Sequence, residues 1–285
     1  MTPSSRPIRI VTDSASDIPR DIARRLQVTV VPMAISFGEQ TFSDQELTPD
    51  EFWRRAHGAA PPKTSQPPTG AFIAVFEELI DAGFDVICIT LTSVHSGTYN
   101  SAWSAASRFA GQVTVLDSRS ISLAMGWQVM RAAEMALAGA SREEIVAMVM
   151  SMRSRMRLFV QLDSIEFIRR GGRLNMVMPA IDRMVRALNI KPILNMAEGQ
   201  LRLLGAARST GKGLARMASE LSALGALELV QVMHIRAAKA AAALVTEIIT
   251  VTQMTIDRIN VGEAGQVLAC HGGEGVVGVM ALIAG

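Results

Sequence analysis

The run FDVICITL, residues 84–91, shows no alternation of apolar and polar positions. A strand with one wet face alternates; a run without alternation is buried on both faces and belongs in a parallel sheet covered by helices. IRIVTDS (8–14), VTVVPMAISF (28–37) and QVTVLDS (112–118) read as further strands. Helix signals separate them. SDIPRDIARRL has Pro19 in its first turn, and LTPDEFWRRAHG is capped by Thr48 with Glu51 three residues on. The Pro-rich loop PPKTSQPPTG opens into another helix, and a fourth runs through WQVMRAAEMALAG. This βαβα rhythm predicts an N-terminal α/β domain, a three-layer α/β/α arrangement around a parallel sheet.

The texture changes at Leu158. SREEIVAMVMSMRSRM reads as a helix bridging to a second unit. LFVQLD, KPILNMAEGQLRLLGAAR and LVQVMHI then read as strands, some antiparallel about the EGQ turn, with helices at LARMASELSAL and AAALVTEIITVT. GQVLAC and VVGVMALIAG read as apolar strands flanking a Gly-rich turn. The expected division is an α/β domain over 1–157 and a two-layer α+β domain with a mixed sheet over 158–285.

Composition narrows the function classes. A net charge of +2 on 285 residues does not suit an electrostatic nucleic-acid binder. Two cysteines, Cys88 and Cys270, both in apolar runs, give no disulfide framework and fit a reducing compartment. The N-terminal MTPSSRP leads straight into a strand without a hydrophobic signal core, and no apolar run reaches the roughly 20 residues of a membrane span. The expectation is a soluble cytoplasmic protein. Methionine is abundant at 17 while aromatics make up 5%, a balance that suits irregular apolar spaces.

Ligands of open α/β sheets bind at the carboxyl ends of the strands. Here the clearest ends carry hydroxyls: TDS at 12–14, LTSVHSGT at 91–98 and DS at 117–118. The junction from Ser93 to Thr98 joins a strand to a helix N-terminus, whose unpaired N–H groups attract anions. Ser96 and Thr98 add hydroxyls, and Gly97 permits close backbone approach. No Lys or Arg lies between Val86 and Ser107, which favours a monoanion such as a carboxylate, or a neutral polar head, over a polyphosphate. The plainer reading makes Ser96 a simple helix cap. Thr64 and Ser65, in a loop stiffened by Pro67 and Pro68, form a second hydroxyl cluster or merely precede a helix.

Other motifs are weaker. Arg169, Arg170 and Arg173 flank a Gly-Gly turn, either as a helix C-terminus or as a basic patch that Lys191, Arg202 and Arg208 extend. His271 follows GQVLAC and either reaches a head group or is structural. GAARSTGKGL misses a phosphate-binding loop: one residue too many separates Gly205 from Gly211, and Gly213 stands where Ser or Thr is required. Ser96 lacks the flanking glycines of a nucleophile elbow, and the four His and two Cys show no metal-ligand spacing.

Taken in order, VTDSASD (11–17), KTSQP (63–67), SVHSGTYNSA (93–102), VLDS with Gly126, IEFIRRGGRL (165–174), KPIL (191–194), EGQL (198–201) and HGGEG (271–275) resemble the DegV family of bacterial fatty-acid-binding proteins. The resemblance spans nearly the whole chain. It implies a two-domain protein holding one fatty acid in a tunnel between its lobes, with no catalytic residues, metal or further cofactor. It places the carboxylate-binding Thr on Thr64, the Ser of the S-G-T motif on Ser96 and the C-terminal His on His271, with Ser65, Ser93, Gly97 and Thr98 around them. It also implies a long-chain ligand such as palmitate or an unsaturated analogue, presented to a separate ATP-dependent fatty acid kinase that makes acyl phosphate for phospholipid synthesis. Arg169, Arg170, Arg173 and Arg202 are then candidates for docking that partner, and transient contact with a membrane surface fits the same role.

Two positions depart from the family pattern. His95 stands where an apolar residue is usual, and Glu274 replaces a Pro in the C-terminal turn, where it is expected to face solvent. Two alternatives stay open: a hydrolase using Ser96 with His95 or His271 as base, and a regulator binding a small polar metabolite.

Overall fold

Val86 through Ile89 are fully buried in β6 (Asp85–Thr90), as a run without alternation requires. β6 lies inside a parallel sheet ordered β2–β1–β6–β7, with β1 at Ile8–Asp13, β2 at Thr29–Val31 and β7 at Val113–Asp117. Val86 and Cys88 point into a core with Phe72 and Phe76 of α3 (Thr69–Asp81) and Ala102 and Ala105 of α4 (Thr98–Ala106). Ile87 and Ile89 point to the other face, and α5 (Ser122–Leu137) packs on β1. After β1 the chain turns to β2 on one side and returns to β6 on the other. The crevice between the carboxyl ends of β1 and β6 is therefore the topological switch point of the sheet.

The computed structural model describes residues 6–165, 167 and 190–285. Two units emerge: residues up to Phe52 with Thr64–Ser154, and Trp53–Lys63 with Arg155–Gly285. Residues 53–63, which the sequence reading puts in the N-terminal domain, thus belong to the second unit. They begin inside α2 (Pro49–Ala56), whose cap is the expected one: the Glu51 N–H donates to Thr48 Oγ1 at 3.2 Å. α1 (Arg20–Arg25) follows Pro19, which occupies the cap position.

VTVVPMAISF does not form one strand. β2 ends at Val31, and after Pro32 the chain starts β3 (Ala34–Phe37) in a separate sheet ordered β4–β3–β5, with β4 at Gln40–Ser43 and β5 at Pro62–Ser65. Proline has no N–H for a ladder and breaks the run. β5 also replaces the loop expected at Thr64 and Ser65.

The second unit has a mixed six-stranded sheet, β10–β9–β8–β13–β11–β12. These strands are β8 (Met156–Gln161), β9 (Lys191–Ala197), β10 (Gln200–Ala207), β11 (Leu227–His234), β12 (Ile259–Glu263) and β13 (Val277–Ile283). β9 and β10 pair antiparallel about the Glu198–Gly199 turn, β11 and β12 run parallel, and β13 is a central strand. α7 (Thr210–Ser222) and α8 (Ala238–Thr252) cover the face bearing Phe159, Ile193, Val230, Val232, Val277 and Val279, giving two layers. The opposite face carries Leu158, Met196 and Met280 in register, with Met156 and Met233 nearby, all buried. Part of the methionine surplus is spent there. α6 (Arg142–Arg155) is the helix expected to bridge to the second unit, and it belongs to the first unit up to Ser154.

One element changes type. GQVLAC, read as a strand, is the start of α9 (Gln266–Gly272), so Cys270 and His271 are helical. Gln, Leu and Ala are good helix formers, and Gly273 at φ 75° ends the helix. Among the described residues no helix is long and apolar enough to cross a membrane.

Candidate functional site

The switch point is organised by Asp13, the last residue of β1, which has no exposed surface. Its Oδ1 accepts the Ala15 N–H at 3.0 Å and its Oδ2 the Leu91 N–H at 2.9 Å. One carboxylate thus fixes both the turn after β1 and the start of the hydroxyl-rich loop after β6. Burial pushes its pKa up to about 7, against the lowering effect of the two N–H donors, and Asp44 and Asp17 add to the rise. Burial likewise lifts Asp44 to about 6, while the Ser14 hydroxyl and backbone N–H groups pull it down.

The other strand ends are tied into the same rim. The Thr92 N–H donates to Ser120 O and the Ser118 N–H to Thr90 O, both at 3.0 Å. Ser93 Oγ donates to Asp117 Oδ2 at 2.6 Å, and Ser122 Oγ to Asp17 Oδ2 at 2.5 Å. α5 presses so closely on the turn after β1 that a Cβ at Gly126 would sit 2.5 Å from Ser16 O. The three strand ends form one connected rim.

Within it, Ser96 and Thr98 are buried and their hydroxyl oxygens lie 2.8 Å apart. Ser96 Oγ also accepts the Thr98 N–H at 3.2 Å, so it does hold the helix start as the plain reading requires. A second segment joins them. Gln66 Nε2 donates to Ser101 Oγ on α4 at 2.9 Å, and Gln66 Oε1 lies 2.0 Å from where a Cβ at Gly97 would stand. Two residues before Gln66, Thr64 is buried. The segment carrying Thr64 is thereby fastened beside the loop carrying Ser96.

Ser65 and Ser93 turn away from this cradle. Ser65 is exposed while Thr64 is buried, because consecutive strand residues point to opposite faces. Ser93 is exposed and committed to Asp117. His271 is partly buried in α9 of the second unit, and Arg202 is exposed on β10. Arg169, Arg170 and Arg173 lie outside the described residues. Among the described residues no His, Cys, Asp and Glu group could hold a metal ion.

Glu274 does not simply face solvent. Its Oε1 accepts from Arg236 Nη1 at 2.9 Å, and its Oε2 lies 3.7 Å from His57 Nε2. Sequence reasoning missed Gln66, Ser101 and Asp13 as site residues. Gln66 and Asp13 sit inside quoted motifs, but only the fold shows that Gln66 reaches the Ser101 hydroxyl and Asp13 the Leu91 N–H.

Chemically, the cradle offers uncharged hydroxyl donors at a helix start, on a rim that the buried Asp13 ties together. Such a set aims a single negative group more than it neutralises it.

Comparison with known proteins gives a family. The model described as "Uncharacterised protein, DegV family" matches residues 7–284. A DegV domain-containing protein of Staphylococcus aureus is 30% identical, with 96% of this chain aligned to 98% of the relative. Among solved structures, a fatty-acid-binding DegV family protein of Thermus thermophilus is 31% identical with a TM-score of 0.88, covering 98% of this chain and all of that one (100%). A stearic acid-binding protein of Eubacterium ventriosum is 26% identical with a TM-score of 0.85, over 97% of this chain and 98% of that one. The fatty acid binding protein DegV of Bacillus subtilis is 29% identical with a TM-score of 0.83, over 98% and 100%.

Proposed function

The chain belongs to the DegV family, and from that premise we propose that it binds a long-chain fatty acid, such as palmitate or an unsaturated analogue, with the carboxylate at the hydroxyls of Thr64, Ser96 and Thr98. The observation that carries this reading is the Gln66 bridge, which fastens one hydroxyl segment to the other at the switch point of the sheet. The fatty acids named for the structures from Thermus, Eubacterium and Bacillus support the ligand class.

The energetics suit the division of labour. Each buried CH₂ contributes about 0.8 kcal/mol, so for an acyl chain the apolar term sets affinity and the hydroxyls set orientation. A carboxylate held by neutral donors stays available for chemistry at its oxygens. We therefore read the protein as a non-catalytic cytoplasmic carrier that presents the carboxylate to a separate ATP-dependent kinase for acyl-phosphate formation. The hydrolase alternative is disfavoured: the hydrogen bonds described for Ser96 Oγ are with Thr98, not with a base.

Mass spectrometry of a denatured extract of the purified protein tests the ligand class. A stoichiometric C16 or C18 fatty acid is expected; a short polar metabolite in its place would favour the regulator. Acyl phosphate should form only when carrier, ATP and kinase are combined.

A further inference from the structure

Residues 53–63 leave the chain of the first unit, pack within the second, and return directly at Thr64. What holds this excursion is a cluster about the turn 271–275. Trp53 is buried, stacks at a tilt on His57 with ring centroids 5.7 Å apart, and meets Phe167 edge-on at 6.4 Å. The Arg236 guanidinium lies 5.7 Å from the Trp53 ring centroid, within cation–π range. Glu274 joins them, with one oxygen on Arg236 and the other facing His57.

Arg236 is itself held in place. It adopts φ 47°, a left-handed conformation uncommon for a residue with a side chain, and its N–H donates to Glu263 Oε1 at 3.0 Å. Both neighbours of Glu274 are also pinned: Gly273 sits against the Phe167 ring, and the Gly275 N–H donates to Ile235 O at 2.9 Å. Arg236 and Glu274 are therefore presented from two anchored backbones, and each reaches the excursion, Arg236 at Trp53 and Glu274 at His57.

We infer that Glu274, with Arg236 and His57, is a positioning clasp that holds residues 53–63 and so sets where the chain re-emerges at Thr64. The inference rests on the reading of Thr64 as a carboxylate ligand, and deepens it: ligand affinity depends on an ion-pair cluster that touches no ligand. The Arg236–Glu274 ion pair is half-exposed, so the effect is modest and salt-sensitive.

The test compares the full chain with Glu274→Ala, Arg236→Ala and the double variant Arg236→Ala/Glu274→Ala. Amide hydrogen exchange is followed across residues 57–66 without ligand, and palmitate affinity is measured by titration at low salt. Each single variant is expected to speed exchange in that segment and to weaken palmitate about fivefold, and the double variant to lose less than the sum of the two. Unchanged exchange at 57–66 in both single variants, or a double variant whose losses add in full, would overturn the clasp. The Thr64→Ala variant separates the two ideas: if it leaves palmitate affinity intact while the clasp variants still speed exchange, the carboxylate assignment fails and the clasp stands.

Discussion

The carboxamide of Gln66 occupies the space a side chain at Gly97 would need, its Oε1 lying 2.0 Å from the position of the missing Cβ. The bridge between the two hydroxyl segments thus depends on a glycine. Gly97→Ala should expel Gln66, break its bond to Ser101 and weaken palmitate binding about tenfold, at a stability cost of about 1–3 kcal/mol. Titration calorimetry with parallel thermal melts checks both. Full affinity in Gly97→Ala would mean that the bridge does not shape the site.

Asp13 gives stability a pH dependence of defined sign. Its folded pKa is about 7 against a usual 3.8, so between these values the folded state holds a proton that the unfolded chain releases. Its stabilising share is complete below about pH 4 and lost as pH rises through about 7; Asp44 behaves alike through about 6. The loss from Asp13 is on the order of 4 kcal/mol at most. Urea midpoints should fall from pH 5 to pH 8, and less steeply in Asp13→Asn. Equal pH slopes in the two proteins would contradict the assignment.

At Gly126 a Cβ would stand 2.5 Å from the carbonyl oxygen of Ser16, a backbone atom that cannot swing aside. Gly126→Ala should push α5 off the turn that follows Asp13, costing about 1–3 kcal/mol and lowering the melting temperature. A melt indistinguishable from the parent chain would show that the contact is slack.

The sheet around Cys88 was legible because an unbroken apolar run has few other homes, and the hydroxyls quoted at the strand ends do lie along the rim that Asp13 ties together. The break at Pro32 was legible in principle, since proline cannot serve a ladder, but the long apolar run outweighed it. Cys270 and His271 misled for a different reason: seven residues such as QVLACHG fit a short helix as well as a strand, and tertiary packing decides. The bridge from Gln66 to Ser101 links positions 35 apart, and the excursion of residues 53–63 meets Arg236 through Trp53 and Glu274 through His57. Such long-range pairings leave no periodic trace.

The hydroxyl assignment is tested most directly by titrating palmitate into the Thr64→Ala/Ser96→Ala double variant. Each lost hydroxyl is worth about 1–2 kcal/mol at a charged acceptor, so affinity should fall by tenfold or more with the fold intact by circular dichroism. Undiminished affinity in that folded variant would contradict the account.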